Sequence, residues 1–285
     1  MSDISMGAGT RNGDAVVVDN TTMAKERRAR FVRGTRNRVL SMIVLLVVWQ
    51  LVSMVMKSSV LPSPIDVVVQ LGKNLGEGNT YYQLYITIVR VLLGMALGVT
   101  SGIIAGIIMG LSRLGEELLD VWVLSLFTVP AIVYAMLCLL WFGLNDWAAI
   151  IAVGVGVLPA IAINMWQGTK AIDRDLIHMA RSFRFSRRSI VLRVVLPQLI
   201  PYILAAFRYG LGLSWKIVTV VELLGLSSGV GYTLNYWFGN FSMVQVMAWT
   251  LLFTITLLII EYGILKPVEA YLTRWRPVSQ AQGGV

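Results

Sequence analysis

The sequence predicts an all-α polytopic membrane protein with about six transmembrane helices, and three observations predict it. Of its 285 residues, 56% are hydrophobic and only 14% charged, where a soluble domain carries about a quarter charged residues. Several apolar runs reach the roughly 18 residues that a bilayer-spanning helix needs. The basic residues, finally, gather beside those runs. One block holds Lys25, Arg27, Arg28, Arg30, Arg33, Arg36 and Arg38; the other holds Lys170, Arg174, Arg181, Arg184, Arg187, Arg188 and Arg193. Lys and Arg resist translocation, so such clusters mark the inner side of a membrane. The net charge of +9 is therefore read as topology, with no nucleic-acid partner.

Several chemistries drop out at once. His178 and Cys138 are the sole His and Cys, which excludes a multi-ligand His/Cys metal site, a disulfide framework and a CxxC redox pair. There is no phosphate loop, no GxGxxG and no HExxH. No cofactor and no metal are expected, and any ATP is hydrolysed on another polypeptide.

The elements follow in order. Residues 1–24 are polar and aperiodic, which predicts a disordered tail. A first span covers about Val39 to Met56 and ends before the helix-breaking Pro62-Ser63-Pro64. Residues 65–82 read as an amphipathic or loop stretch. The second span, about Leu84 to Leu111, carries Gly94, Gly98, Gly102, Gly106 and Gly110. Glycine at every fourth position cuts a groove along one helix face, for static packing or for a sliding surface. A third span runs from about Val121 to Phe142 with Pro130 inside it, suggesting a kink. The fourth covers about Trp147 to Trp166, the fifth about Ile200 to Leu224, and a Gly/Ser-rich insert lies over 225–240. The sixth, about Met243 to Leu265, is expected to stop at Lys266-Pro267.

With both termini inside, nineteen of the 24 Lys and Arg fall on the cytoplasmic side and two outside. That asymmetry predicts the topology. The domains are then a basic, largely disordered cytoplasmic tail over 1–38, a transmembrane domain over 39–265, and a cytoplasmic tail over 266–285.

The cytoplasmic loop over 170–197 has its own pattern. Leu176, Met179, Ala180 and Phe183 recur at helical spacing among arginines, behind Asp173 and Asp175 as N-terminal residues. A short apolar helix with a charged rim lies on lipid or fits a groove on a partner.

The loop resembles the signature of permease subunits of binding-protein-dependent ABC importers: Glu-Ala-Ala, three residues, Gly, nine residues, Ile, one residue, Leu-Pro. In this register Ala180, Leu196 and Pro197 match and Val194 is a mild change, whereas His178, Met179 and Arg184 replace the Glu, the first Ala and the Gly. The family's Gly closes a tight turn, so Arg184 must find another conformation or accept a positive φ. Leu61-Pro62-Ser63-Pro64, the Thr87–Gly94 stretch, Leu140-Trp141-Phe142-Gly143, Glu222-Leu223-Leu224-Gly225 and Ser228-Gly229-Val230-Gly231-Tyr232 resemble the nitrate/sulfonate/taurine branch, covering about Val39 to Leu265.

The resemblance implies a type I importer permease of MetI-like architecture in a bacterial inner membrane. It would pair with a second permease copy, as a homodimer, sit on two ABC ATPase subunits, and receive substrate from a soluble binding protein. The 170–197 loop would be the coupling helix, with His178, Met179, Ala180, Arg181, Phe183, Arg184, Leu196 and Pro197 at the ATPase. Glu222, Gly225, Gly229 and Gly231 would belong to a re-entrant outer gate. From its own chemistry, Trp141 either narrows the translocation path or sits in the interfacial aromatic belt.

Charges within spans are costly and call for partners. Arg90 either snorkels to the outer interface or draws anions to an outer mouth. Arg208 reads as structural. Lys216, near mid-span, either pairs with Glu222 or Glu261 or lines the path, where a lone cation suits a small anion. The function expected is a non-enzymatic import subunit for nitrate, a sulfonate or a taurine-like solute. The alternative is a self-contained channel or ion-coupled carrier, for which acids within the spans are few. A membrane enzyme lacks a Ser-His or paired Asp constellation.

Overall fold

The computed structural model describes residues 20–56 and 61–273. Among them lie twelve α-helices and no strand. They divide into two compact units, one up to Met56 and one from Lys57 onward.

The first unit is α1 (Asn20–Val55). It reaches back through the basic block, where the sequence suggested a disordered tail as far as residue 38. Ala24, Lys25, Glu26, Arg27 and Arg28 are all strong helix formers, which accounts for the extension; residues 1–19 lie outside the described residues. Its apolar part, Leu40–Val55, is shorter than a full span.

The second unit opens with α2 (Pro64–Leu75), a helix, which is the amphipathic of the two alternatives for this stretch. Ser63 caps it, its Oγ accepting from the Asp66 N–H at 3.1 Å, with Pro64 preset at the first turn. Next comes α3 (Gly78–Leu111), starting six residues before the apolar run. The expected third span is two helices, α4 (Arg113–Thr128) and α5 (Ala131–Phe142), bent by 99°. Pro130 forces the break: it donates no N–H, and Val129 before it is held extended at φ −67°, ψ 126°. The fourth span is α6 (Asp146–Lys170), which keeps Pro159 inside it.

The loop contains α7 (Arg174–Ser182) and α8 (Arg187–Ile190), then a π-helical turn over Val191–Val195 that runs into α9 (Leu196–Gly225). The Gly/Ser insert folds into α10 (Val230–Gly239). The last span is α11 (Met243–Ile260), and a second π turn over Glu261–Leu265 carries it into α12 (Lys266–Thr273). Pro267 does not stop its helix, contrary to the sequence reading, and neither does Pro197. Each stands just after a π turn, whose wider hydrogen-bond register absorbs the bond that proline cannot donate.

Among the described residues four helices are long and apolar enough to cross a membrane, and a fifth crossing is available if α4 and α5 count as one broken span. The six expected apolar segments are all present; only four of them are long, uninterrupted helices of that kind. The core lies where α3, α6 and α9 pack, around Val91, Met95, Val153, Ile161, Trp215 and Val218.

The α3–α6 contact is the most extensive in the fold, and all five stripe glycines of α3 face α6. A Cβ on Gly94 would stand 2.6 Å from the Val153 Cβ; one on Gly102 would stand 2.6 Å from that of Ile161; Gly110 faces Thr169. Without side chains in between, the two backbones close onto each other, and dispersion contacts replace the hydrophobic drive that lipid does not supply. Two rods are thereby joined over the length of α6, about 37 Å for its 25 residues.

Candidate functional site

At the N-terminal end of α6 lies a buried polar network. Gln83, Thr87 and Arg90 share one face of α3, being spaced four and three residues apart. Arg90 is only 3% exposed and Glu222, in the last turn of α9, is fully buried. The guanidinium uses all five of its donors. Nε and Nη2 reach Asp146 Oδ1 at 2.9 and 2.5 Å, Nη1 reaches Glu222 Oε1 at 2.7 Å, and Ser228 accepts at its carbonyl and its Oγ, each at 2.8 Å. Glu222 is satisfied in turn. Thr87 donates its hydroxyl to the carboxylate at 2.9 Å, and the Gly231 N–H donates to Oε2 at 2.9 Å. Thr87 Oγ1 accepts from the Val230 N–H, and Gln83 Oε1 from the Gly229 N–H.

The start of α10 thus hangs on side chains of α3 and α9, with the Glu222 carboxylate at its positive end. Glycine is required there. Gly229 has φ +105°, and a Cβ on it would overlap the Glu222 carboxylate; a Cβ on Gly231 would strike the Thr219 carbonyl. An Arg with five hydrogen bonds to three residues, facing a buried carboxylate that accepts from three, is a closed structural unit, and it joins four elements at one end of the bundle.

This placement changes several readings. Arg90 neither snorkels nor stands open to anions. Glu222, Gly229 and Gly231 pack against protein within this chain. Gly225 packs against Leu139 and Leu144, while Trp141 is 69% exposed. Lys216 pairs with neither expected acid: Glu222 is held by Arg90, and Glu261 by Arg208 at 2.9 Å, which also reaches Glu269 at 2.6 Å.

Gln83 and Asp146 were not singled out in the sequence, and Thr87 and Ser228 entered only as members of segments that resemble the branch, with no role assigned. One signal was available: Arg90 near the start of the second span and Glu222 near the end of the fifth fall at the same end of a six-span chain. Two opposite charges at one depth in lipid are expected to meet.

The other end of α6 leads to the 170–197 arm. Asp173 caps α7, accepting from the Asp175 N–H at 2.9 Å, and its own N–H donates to Gln198 Oε1 on α9 at 2.8 Å. The helix closes with paired bonds from Phe185 N–H to the Ala180 carbonyl (3.1 Å) and Arg184 N–H to the Arg181 carbonyl (2.9 Å). That is a Schellman arrangement, and its left-handed position falls on Arg184 at φ +57°. Ala180 is 2% exposed and packs beneath the arm, so it does not lie on the outer face with the other proposed contacts. His178, Met179, Arg181, Phe183, Arg184 and Leu196 are exposed, and Pro197 is half-buried.

The helices form an α-helical membrane unit with a broken third span and a basic arm, and comparison with known proteins specifies its class. The chain belongs to the family described as "Binding-protein-dependent transport system inner membrane component", whose family model matches residues 98–267. It is accordingly an inner-membrane permease subunit of an ABC importer, a transport component rather than an enzyme. Its relatives place it in the sulfonate/nitrate/taurine branch. It is 43% identical to the "Putative aliphatic sulfonates transport permease protein SsuC" of Escherichia coli (strain K12), over 65% of this chain and 71% of the relative. With the "Taurine transport system permease protein TauC" of the same organism it shares 28% identity, over 81% and 86%. Among solved structures, a chain of the MetNI methionine ABC transporter in inward-facing conformations superposes with a TM-score of 0.57 at 19% identity, covering 70% of this chain and all of that one. That likeness establishes the MetI-like fold.

Proposed function

We propose that this permease forms the membrane path for a small organic anion of the sulfonate class, delivered by a soluble binding protein and driven by separate ATPase subunits. Both termini lie in the cytoplasm on this reading, and a second copy of the chain completes the path. The substrate class is supported by the 43% identity to a permease named for aliphatic sulfonates, with the taurine permease, named for another sulfonate, at 28%. The orientation is supported by the basic flanks.

One observation carries the coupling role. The arm over 170–197 exposes Met179 at 52% and Phe183 at 72%, beside His178 and Arg181, on a helix capped at both ends and tied to α9. Apolar side chains on a rigid, rimmed helix suit a groove on another protein. Closure of the ATPases would push this arm as a body, and α6 and α9 would carry the displacement to the Arg90–Glu222 end. A packed short helix transmits motion rather than absorbing it.

The test uses the complete transporter, with its ATPase and binding protein, in proteoliposomes supplied with ethanesulfonate. Ala180→Glu should dislodge α7 from beneath and abolish ATP-dependent uptake while membrane insertion and binding-protein docking persist. Uptake at the unaltered rate in that variant, or accumulation of solute by the permease alone, would overturn the reading.

A further inference from the structure

The bend between α4 and α5 opens a cavity of about 300 Å³ that the coupling role leaves unused. Its far wall is one face of α9, with Tyr209, Leu213, Lys216 and Ile217 at helical spacing, and Gly156 of α6 forms part of the lining. Gly156 keeps room there: a Cβ would stand 2.5 Å from the Ile217 Cδ1.

The charge balance of this cavity is one-sided. Lys216 is the single charged residue lining it, and no carboxylate faces it. The acids that could reach from α9 and the last span are committed, Glu222 to Arg90 and Glu261 to Arg208. Among the described residues Lys216 forms no ion pair. The Tyr134 hydroxyl is spoken for, donating to the Leu126 carbonyl. Lys216 lies nine residues before the end of α9, about 14 Å along the helix axis, farther than its side chain reaches. Lys216 is exposed at the open side of this cavity, and with no counter-charge on the cavity wall it is free to take an anion there.

We propose that this cavity binds a small amphiphilic monoanion, its oxyanion group on the Lys216 ammonium and its short apolar chain against Leu126, Phe127, Leu213 and Ile217. The identity of that anion as transported sulfonate rests on the importer reading; the chemistry of the site does not. A cavity of this size accepts a few heavy atoms beyond the charged head. A bare inorganic anion would leave the apolar wall unfilled, and a neutral solute would leave the ammonium uncompensated.

The test reads the site without transport. Leu213→Cys is made in the full-length permease carrying Cys138→Ala, reconstituted in nanodiscs of zwitterionic lipid. Its labelling rates by anionic 2-sulfonatoethyl and cationic 2-(trimethylammonium)ethyl methanethiosulfonate are compared. With Lys216 present the anionic reagent is favoured, and adding Lys216→Met should lower the anionic-to-cationic ratio about tenfold. Butane-1-sulfonate should slow labelling by both reagents, whereas butylammonium should not. Tyr209→Cys, one turn from Leu213 and two from Lys216 on the same face, serves if the Leu213 variant does not fold.

An unchanged ratio after Lys216→Met, or equal protection by butylammonium, overturns the site. Protection by phosphatidylglycerol in the nanodisc with none by butane-1-sulfonate overturns it too, because the anion is then lipid. The two readings fail separately. A transporter that takes up no sulfonate, with the ratio still shifted, sinks the substrate and leaves the site; uptake with an unmoved ratio does the reverse.

Discussion

The two ends of α6 are finished in opposite ways. At the Asp146 end every polar group of the Arg90–Glu222 network has a partner within the chain, and the residues that meet there come from four helices. At the Lys170 end the arm is capped and anchored, yet Met179, Phe183 and Phe185 stand exposed. The first end is complete without any other molecule. The second carries apolar surface that none of the described residues covers, which is what a surface meant for a partner requires. Between them the glycine stripe holds α3 and α6 together as one rod. A displacement at the arm therefore meets a stiff element rather than a soft one.

The comparison breaks most severely at Arg90. Arg90→Met leaves the Glu222 carboxylate buried without its cation, a loss of about 3–5 kcal/mol. Arg90→Lys should recover little, because three donors on a flexible stem cannot serve two carboxylates and Ser228. Asp146→Asn is the control at the same site: the Asp146 side chain is 68% exposed, and its contribution should stay within about 1 kcal/mol. Thermal unfolding of the purified permease in detergent checks all three. Equal midpoint losses for Arg90→Met and Asp146→Asn would show that the network is not closed.

A smaller effect is expected midway along the rod. Gly102→Val places branched carbon where the Ile161 Cβ is 2.6 Å and the Leu158 carbonyl 2.8 Å from a bare Cβ. Overpacking of this kind costs about 1–3 kcal/mol. Gly212→Ala in α9, with open space around it, should instead gain up to about 1 kcal/mol from helix propensity. The same unfolding measurement separates them. Similar shifts in the two variants would mean that the stripe is not a tight contact.

How much of this could be read beforehand differs between the two ends for a physical reason. The arm is local: Asp173, Asp175, the periodic Leu176, Met179 and Ala180, and the demand on Arg184 all lie within a dozen residues, so spacing alone exposed them. The glycine stripe was equally visible, although its partner α6 was not. The network is long-range. Arg90 and Glu222 stand 132 positions apart, and a charge within an apolar run says that it needs a partner without saying which one. Lys216 was the more central charge by position and drew the pairing that belonged to Arg90. The 99° bend and the continuation of two helices through Pro197 and Pro267 show proline misleading in both directions. It breaks a helix outright at Val129, where the preceding residue goes extended, and passes where a π turn has already shifted the register.

The mildest expected effect lies in the turn that closes α7. Arg184 holds φ +57° at the left-handed position of a Schellman motif, a conformation that a residue with a Cβ adopts at a cost and glycine adopts freely. Arg184→Gly should remove that cost and gain about 0.5–1 kcal/mol, part of it offset because glycine also frees the unfolded chain. The gain is visible only if the arm unfolds with the rest, so the measurement is hydrogen exchange at the Arg184 and Phe185 amides, whose N–H groups close the motif onto the Arg181 and Ala180 carbonyls. Slower exchange at both in the glycine variant is the expected outcome. Faster exchange would mean that the Arg184 side chain itself steadies the turn, and that the arm draws rigidity from a residue its backbone geometry disfavours.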